Sequence, residues 1–166
     1  EVIKSPGDLT RFHSQNYDRL FADELPGAMG VLLTDPSPEA QVRASVTYNM
    51  IIEGTLAETG YYSYYQMLEQ NDIMPGLRNG IQKLKQDESR HIAYGVFLLS
   101  RLVSEKPSLW ALIESTMAEL LEPALEVVNE IFARYDEFPF GLEQETFLDY
   151  AMKQFQARMK LSLIHI

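Results

Sequence analysis

Glu53, Glu88 and His91 are the residues best placed to do chemistry in this chain, because they are polar where long helices should be apolar. A walk through 46–67 in alternating fours and threes meets Val46, Met50, Glu53, Ala57, Gly60, Tyr64 and Met67. A walk through 81–102 in threes and fours meets Ile81, Leu84, Glu88, His91, Gly95, Leu98 and Leu102. Both read as core stripes of a helix bundle with a carboxylate set into them, and the second adds an imidazole one turn on. Glu and His at i and i+3 project side by side from one helix face. A buried carboxylate is costly unless it is paired or bound to a metal. A lone Glu-x-x-His arises often by chance, so the weight lies on the stripe position and on Glu53 from a second helix. That combination is how four-helix carboxylate proteins hold two metal ions, and a buried polar cluster is the alternative.

The neighbouring residues read less sharply. Asp87, four residues before His91, is either a solvated acid or a carboxylate hydrogen-bonded behind a ligating imidazole. Glu58 is expected on a different face from Glu53, as a surface or inter-helix charge, and Arg90 as an ion-pair partner for nearby acids. His13 and His165 match no ligand spacing. Tyr48 lies five residues before Glu53, roughly 140° away around a straight α-helix, so only a π-bulge would turn it inward. Tyr61, Tyr62, Tyr64 and Tyr65 read as core or interface aromatics. Ala57, Gly60 and Gly95 share the stripes, where small residues either let helices approach or leave room for a ligand.

Five helical stretches must position these groups. One or two short helices cover 8–33, broken near Pro26-Gly27. Asp35-Pro36-Ser37-Pro38-Glu39 opens the next: Ser37 caps, Pro38 fits the first turn and Glu39 suits the positive helix end. It runs to about Glu69, and the following helices run from about Pro75 to Ser104, over 107–135 with a kink or break at Pro123, and over 142–160. No segment reads as a strand, so the expected class is all-α, up-down, with short turns. At 166 residues the chain is long enough for one domain with its own core.

Composition narrows the chemistry. A net charge of -10 argues against a nucleic-acid partner and would weakly attract cations. With no cysteine, disulfides, thiolate chemistry and iron–sulfur clusters are excluded. Any metal must take carboxylate and imidazole, a set that suits iron and manganese. No apolar run is long enough for a membrane span, and a cytoplasmic location is the default expectation. The chain starts at Glu1, and Leu161-Ser162-Leu163-Ile164-His165-Ile166 drops the amphipathic pattern that holds through Lys160. We expect a fragment of a longer gene: residues 1–160 a partial domain and 161–166 a non-native tail.

The run from Tyr48 to Tyr62, Tyr-Asn-Met-Ile-Ile-Glu-Gly-Thr-Leu-Ala-Glu-Thr-Gly-Tyr-Tyr, followed by Asp87-Glu88-Ser89-Arg90-His91-Ile92, resembles the ribonucleotide reductase small-subunit-like ligand-binding oxidases. Phe12-His13, Leu25-Pro26 with Ala28-Met29, and Lys153-Gln154-Phe155 share the resemblance, which covers nearly the whole chain to about Lys160. It implies a ferritin-like helix bundle with a manganese–iron or di-iron centre that activates dioxygen. It implies a long-chain fatty acid or similar apolar ligand beside the metals, a tyrosine–valine ether crosslink and a homodimeric full-length protein. By the same resemblance Glu53, Glu88 and His91 are metal ligands, Tyr48 is the crosslinked tyrosine and Asp87 a carboxylate behind the ligands.

One departure matters. A two-metal site of this kind takes six protein ligands, including two Glu-x-x-His pairs, and this chain has one such pair. The chain therefore reads as an incomplete bundle, the second half of the metal-binding helices plus the C-terminal ones. Two rivals remain at this level: a ribonucleotide reductase small subunit, which needs a radical tyrosine and a docking tail, and a non-catalytic helical interaction domain.

Overall fold

Ser37 opens the helix around which the others pack. In a computed structural model that describes residues 10–163, its Oγ accepts the Ala40 N–H at 3.3 Å and Pro38 takes the first turn, as the sequence predicts. The described residues contain no strand and form five long helical stretches: α1 over 15–31, α2 over 38–70, α3 over Pro75–Glu105, α4 over Leu109–Phe132 and α5 over Gln144–Leu163. The all-α bundle is as expected. His165 lies outside the described residues, as does the rest of the tail beyond Leu163; the helix itself continues past Lys160 to Leu163.

α2 is composite. Pro38–Ser45 is α-helical, Val46–Ala57 is π-helical and Glu58–Gln70 is α-helical again. Glu58 N–H bonds Glu53 O, five residues back, and the Thr55 hydroxyl donates to Met50 O, also five back, at 2.9 Å. The wider turns add residues that an α-helical wheel does not count. The stripe predicted from Val46 holds through Glu53 and then slips: Glu58, Thr59 and Leu68 are buried, whereas Tyr64 is 58% exposed.

One proline expectation needs correction, and of the two outcomes expected at Pro123 a break does not occur. α1 is not broken at Pro26-Gly27: a π turn, Arg19–Glu24, precedes Pro26, which then falls in the first turn of the α-helical segment Leu25–Val31, where no N–H is required. Pro123 lies buried inside α4 without ending it. Glu119, four residues back, is exposed, so water can stand in for the missing donor.

The core forms where Leu109, Ile113, Met117, Leu120, Ala124 and Val127 of α4 meet Val42, Val46, Met50 and Ile51 of α2 and Leu99 and Val103 of α3. Full burial of each such side chain is worth about 1.5–3 kcal/mol. The π segment of α2 touches α3, α4 and α5, so it is the hub of the bundle. Gly95 fits that role: a Cβ there would lie 2.3 Å from the Asn49 Cβ, so its absence lets α3 close on α2. Gly60 takes the other option. No atom lies within 4 Å of its Cβ position, and with Ala57 it borders a cavity of about 290 Å³ between Leu56, Phe132 and Phe147.

The second predicted stripe also needs adjustment. Ile81, Gly95 and Leu102 are buried, but Leu84 is 53% exposed, and the buried face of α3 is carried further by Ile92, Val96, Leu99 and Val103. Leu77, Leu84 and Tyr94 are exposed along one side of α3, the side that carries His91. An apolar face of this kind drives association in water. The isolated chain is therefore expected to self-associate: sedimentation velocity should show its average mass rising with concentration across the micromolar range, and Leu84→Glu should reduce that rise. A chain that stays monomeric across that range contradicts the expectation.

Candidate metal centre

Glu53 is 4% exposed and sits in the π segment of α2, held from two directions. Its Oε2 accepts the Asn49 side-chain amide at 3.0 Å, and Asn49 Oδ1 in turn accepts the Ser45 hydroxyl at 3.0 Å. Its Oε1 lies 3.0 Å from His91 Nδ1 on α3. Glu88, one turn before His91, places Oε2 3.3 Å from the same nitrogen, while its Oε1 accepts the Tyr61 hydroxyl at 3.2 Å. The structure thus brings the three sequence-predicted residues together, with one donor atom from each lying within 4.8 Å of the others. His91 stands at the open edge, its side chain 47% exposed.

Tyr48 joins the same cluster. The i→i+5 turns of the π segment place residues five apart on one face, the condition under which the sequence allowed Tyr48 to point inward. Hydrogen bonding to Glu53, then burial, pushes its phenol up to about 12. Beside Tyr48 and His91 lies a cavity of about 500 Å³, lined also by Met29, Leu32, Ala44 and Leu98.

Asn49 and Tyr61 were not singled out from the sequence. Asn49 had a usable signal: it is a polar residue inside the apolar run Val46–Ile52, four residues before Glu53. Tyr61 had none, because its contact with Glu88 spans 27 residues and two helices. Asp87 accepts a hydrogen bond from Arg90 at 3.2 Å on the exposed face, so Arg90 is the ion-pair partner expected of it. Glu58 is buried and pairs with Lys85 of α3 at 3.5 Å, an inter-helix charge. His13 pairs with Asp18 near the chain's start, away from the cluster.

The residues fit a cation. His91 Nδ1 can carry one proton and faces two carboxylates, so it can serve only one; Glu88 Oε2 is left buried without a hydrogen-bond partner. Burial, and then repulsion from Glu53, hold the Glu88 carboxyl above its ordinary range. The hydrogen bond to Glu53, reinforced by its charge, raises His91. A divalent cation would satisfy the orphaned oxygen and offset that repulsion, and two carboxylates with an imidazole suit manganese or iron. Three donors make half of a six-ligand two-metal set.

The sign of the pH dependence follows. Ligation requires Glu88 and His91 to be deprotonated, and both hold protons to higher pH than usual. Metal affinity should therefore fall on acidification, His91 contributing from above its ordinary 6.5 and Glu88 from above 4.5. In the full-length protein, anaerobic loading with manganese(II) or iron(II) at pH 7 should release protons, read as a dependence of the calorimetric heat on the buffer's ionisation enthalpy. Heats that are the same in every buffer contradict this.

No family model matches the sequence. Solved structures do. An R2-like ligand-binding oxidase without metal cofactor is 39% identical, with a TM-score of 0.87 over 93% of this chain and 60% of that one. A variant with aerobically reconstituted Mn/Fe cofactor is 38% identical at the same TM-score, covering 93% of this chain and 59% of that one. A variant with anaerobically reconstituted Mn/Fe cofactor is 38% identical, again at 0.87, with 55% of its own chain covered. The chain thus spans 55 to 60% of the length of these proteins. Over 93% of its own length, in fold and in sequence, it matches part of the R2-like ligand-binding oxidases, the ferritin-like group that its residues resemble.

Proposed function

We propose that this chain is the second half of the metal-binding bundle of an oxidase that activates dioxygen at a manganese–iron or di-iron carboxylate site. A long-chain fatty acid or similar apolar ligand sits beside the metals. The observation that carries this reading is the convergence of Glu53, Glu88 and His91 around an oxygen that no hydrogen bond satisfies. The likeness to oxidases reconstituted with Mn/Fe supports the identity of the metals. The cavity of about 500 Å³ beside Tyr48 and His91 supports the apolar ligand. On this reading residues 1–160 are a partial ferritin-like domain, and the other three ligands are held by sequence outside these 166 residues.

When bound, the metal pair supplies the electrons that reduce dioxygen and the oxidising power directed at a nearby C–H bond. The chain supplies the rest. Glu53 and Glu88 give anionic oxygen ligands, and His91 a neutral nitrogen once its proton is lost. Asn49 and Tyr61 each hold one carboxylate oxygen, which fixes how Glu53 and Glu88 face the site. Glu53 is itself buried, so water is kept from its side of the site. Tyr48 is proposed as the crosslinked tyrosine. Ether formation would remove its phenolic hydrogen and one valine C–H hydrogen as two protons and two electrons; with two further electrons from the metal pair and two protons from solvent these would reduce one dioxygen to two waters.

In the full-length protein, Glu88→Ala or His91→Ala should abolish stable binding of at least one metal, since each removes a ligand from a site with few spares. Retention of two metals per chain by elemental analysis in both variants sinks the ligand assignment. Tyr48→Phe should leave metal content near wild type while eliminating any internal crosslink, because it removes one oxygen and little volume. Mass spectrometry of proteolytic peptides after aerobic manganese and iron loading decides. A Tyr48 peptide found only in linear form in the wild type makes Tyr48 a packing residue.

A further inference from the structure

We propose that Arg158, in the last helix, is a positioning residue that locks α2 in its π register and so keeps Tyr48 and Glu53 on the same face. The register turns on one carbonyl, Gly54 O. In an α-helix Glu58 N–H would bond Gly54 O, four residues back; here it bonds Glu53 O, five back, and Thr55 O, three back, and passes over Gly54 O. Arg158 Nε donates to Gly54 O at 3.3 Å. The guanidinium thus occupies the acceptor through which the segment would otherwise tighten into an α turn.

Three features show that this contact is built for. Position 54 is glycine, and a Cβ there would lie 3.0 Å from Arg158 Nε and 2.8 Å from Asn49 O, so a side chain would displace the guanidinium. Arg158 is aligned from its own helix, its second nitrogen donating to Gln154 Oε1 at 3.0 Å. The guanidinium is half-buried; burial lowers its pKa, and the nearby Glu58 carboxylate offsets part of that cost by favouring the charged form. Release of the clamp frees Gly54 O for Glu58 N–H. The turn then narrows, and as the upstream i→i+5 bonds of the segment convert in sequence, Tyr48 moves toward the roughly 140° separation from Glu53 that an α-helix imposes.

The test uses the full-length protein with Arg158→Met, which keeps the apolar stem but removes every donor. Phe147→Leu is the control: it loosens a buried ring on the same helix without touching Gly54. Amide exchange over 46–59 in the metal-free protein reads the register directly. Competition with a chelator for manganese(II) reads its consequence at Glu53. Arg158→Met should speed exchange over 46–59 and weaken metal binding about 10-fold or more, the scale seen when partners behind metal ligands are lost. Phe147→Leu should lower the melting temperature and do neither. Should Arg158→Met not fold, Arg158→Lys, which keeps the charge but lacks Nε, is read by the same criteria. The proposal is overturned if exchange over 46–59 is unchanged, or if Phe147→Leu alters it equally. The metal arm rests on the proposed function and the exchange arm does not, so a wild type that binds no metal defeats that function and leaves Arg158 still to be judged.

Discussion

A carboxylate buried in a helix bundle must have its charge matched, and Glu53 is the position from which the rest of this structure follows. Its carboxylate is met by Asn49 from one turn earlier, by His91 from α3 and by the Tyr48 phenol. Each of those partners imposes a condition elsewhere. Asn49 can lie between α2 and α3 only because position 95 has no side chain. Tyr48 can reach Glu53 only because α2 runs in π register. His91 reaches it because α3 packs along the same segment, with Glu88 one turn away. Leaving one partner out would strand a buried charge, at a cost of several kcal/mol.

The register explains most of the distance between sequence and structure. The five helices were legible because their ends are marked: Ser37 caps, Pro75 begins one, Pro107 stands in the turn before Leu109 opens another, and the Phe138-Pro139-Phe140-Gly141 run interrupts. Which residues face inward along α2 was legible only as far as the wheel holds. A periodicity count assumes i→i+4 bonding, and the acceptors here are taken five apart and by side chains such as Thr55 and Arg158. Tyr64, counted into the stripe, consequently faces solvent. Pro26 was read as a breaker because its local cost is visible in sequence, whereas the first-turn placement that removes it is not.

At the site, the three candidate ligands were legible for a physical reason: a charged residue in an apolar stripe has no cheap explanation. The groups that orient them were not. Tyr61 reads as one of several packed tyrosines until α2 and α3 are brought together, and Arg158 reads as a charge on an amphipathic helix until Gly54 is found beneath it. Orienting contacts of this kind are tertiary, and no spacing rule along one helix anticipates them. Tyr48 is intermediate, since its five-residue offset from Glu53 carried a conditional reading that the π segment then satisfied.

The two acidic centres on α2 also differ in a way that bears on where a cation belongs. Glu58, five residues after Glu53, is one carboxylate served by the Lys85 ammonium and the Arg158 guanidinium. It is balanced within the chain. Glu53 and Glu88 are two carboxylates that share one imidazole, itself a group that can lose its charge, and one of their oxygens is left without a hydrogen bond. Protons relieve that excess in the absence of metal, which is why Glu88 and His91 both hold theirs to higher pH than usual. A divalent cation would displace those protons at the Glu53 centre, whereas at Glu58 it would have to displace two fixed cations. The same helix therefore carries a carboxylate neutralised within the chain and, one wide turn away, an excess of negative charge suited to a metal.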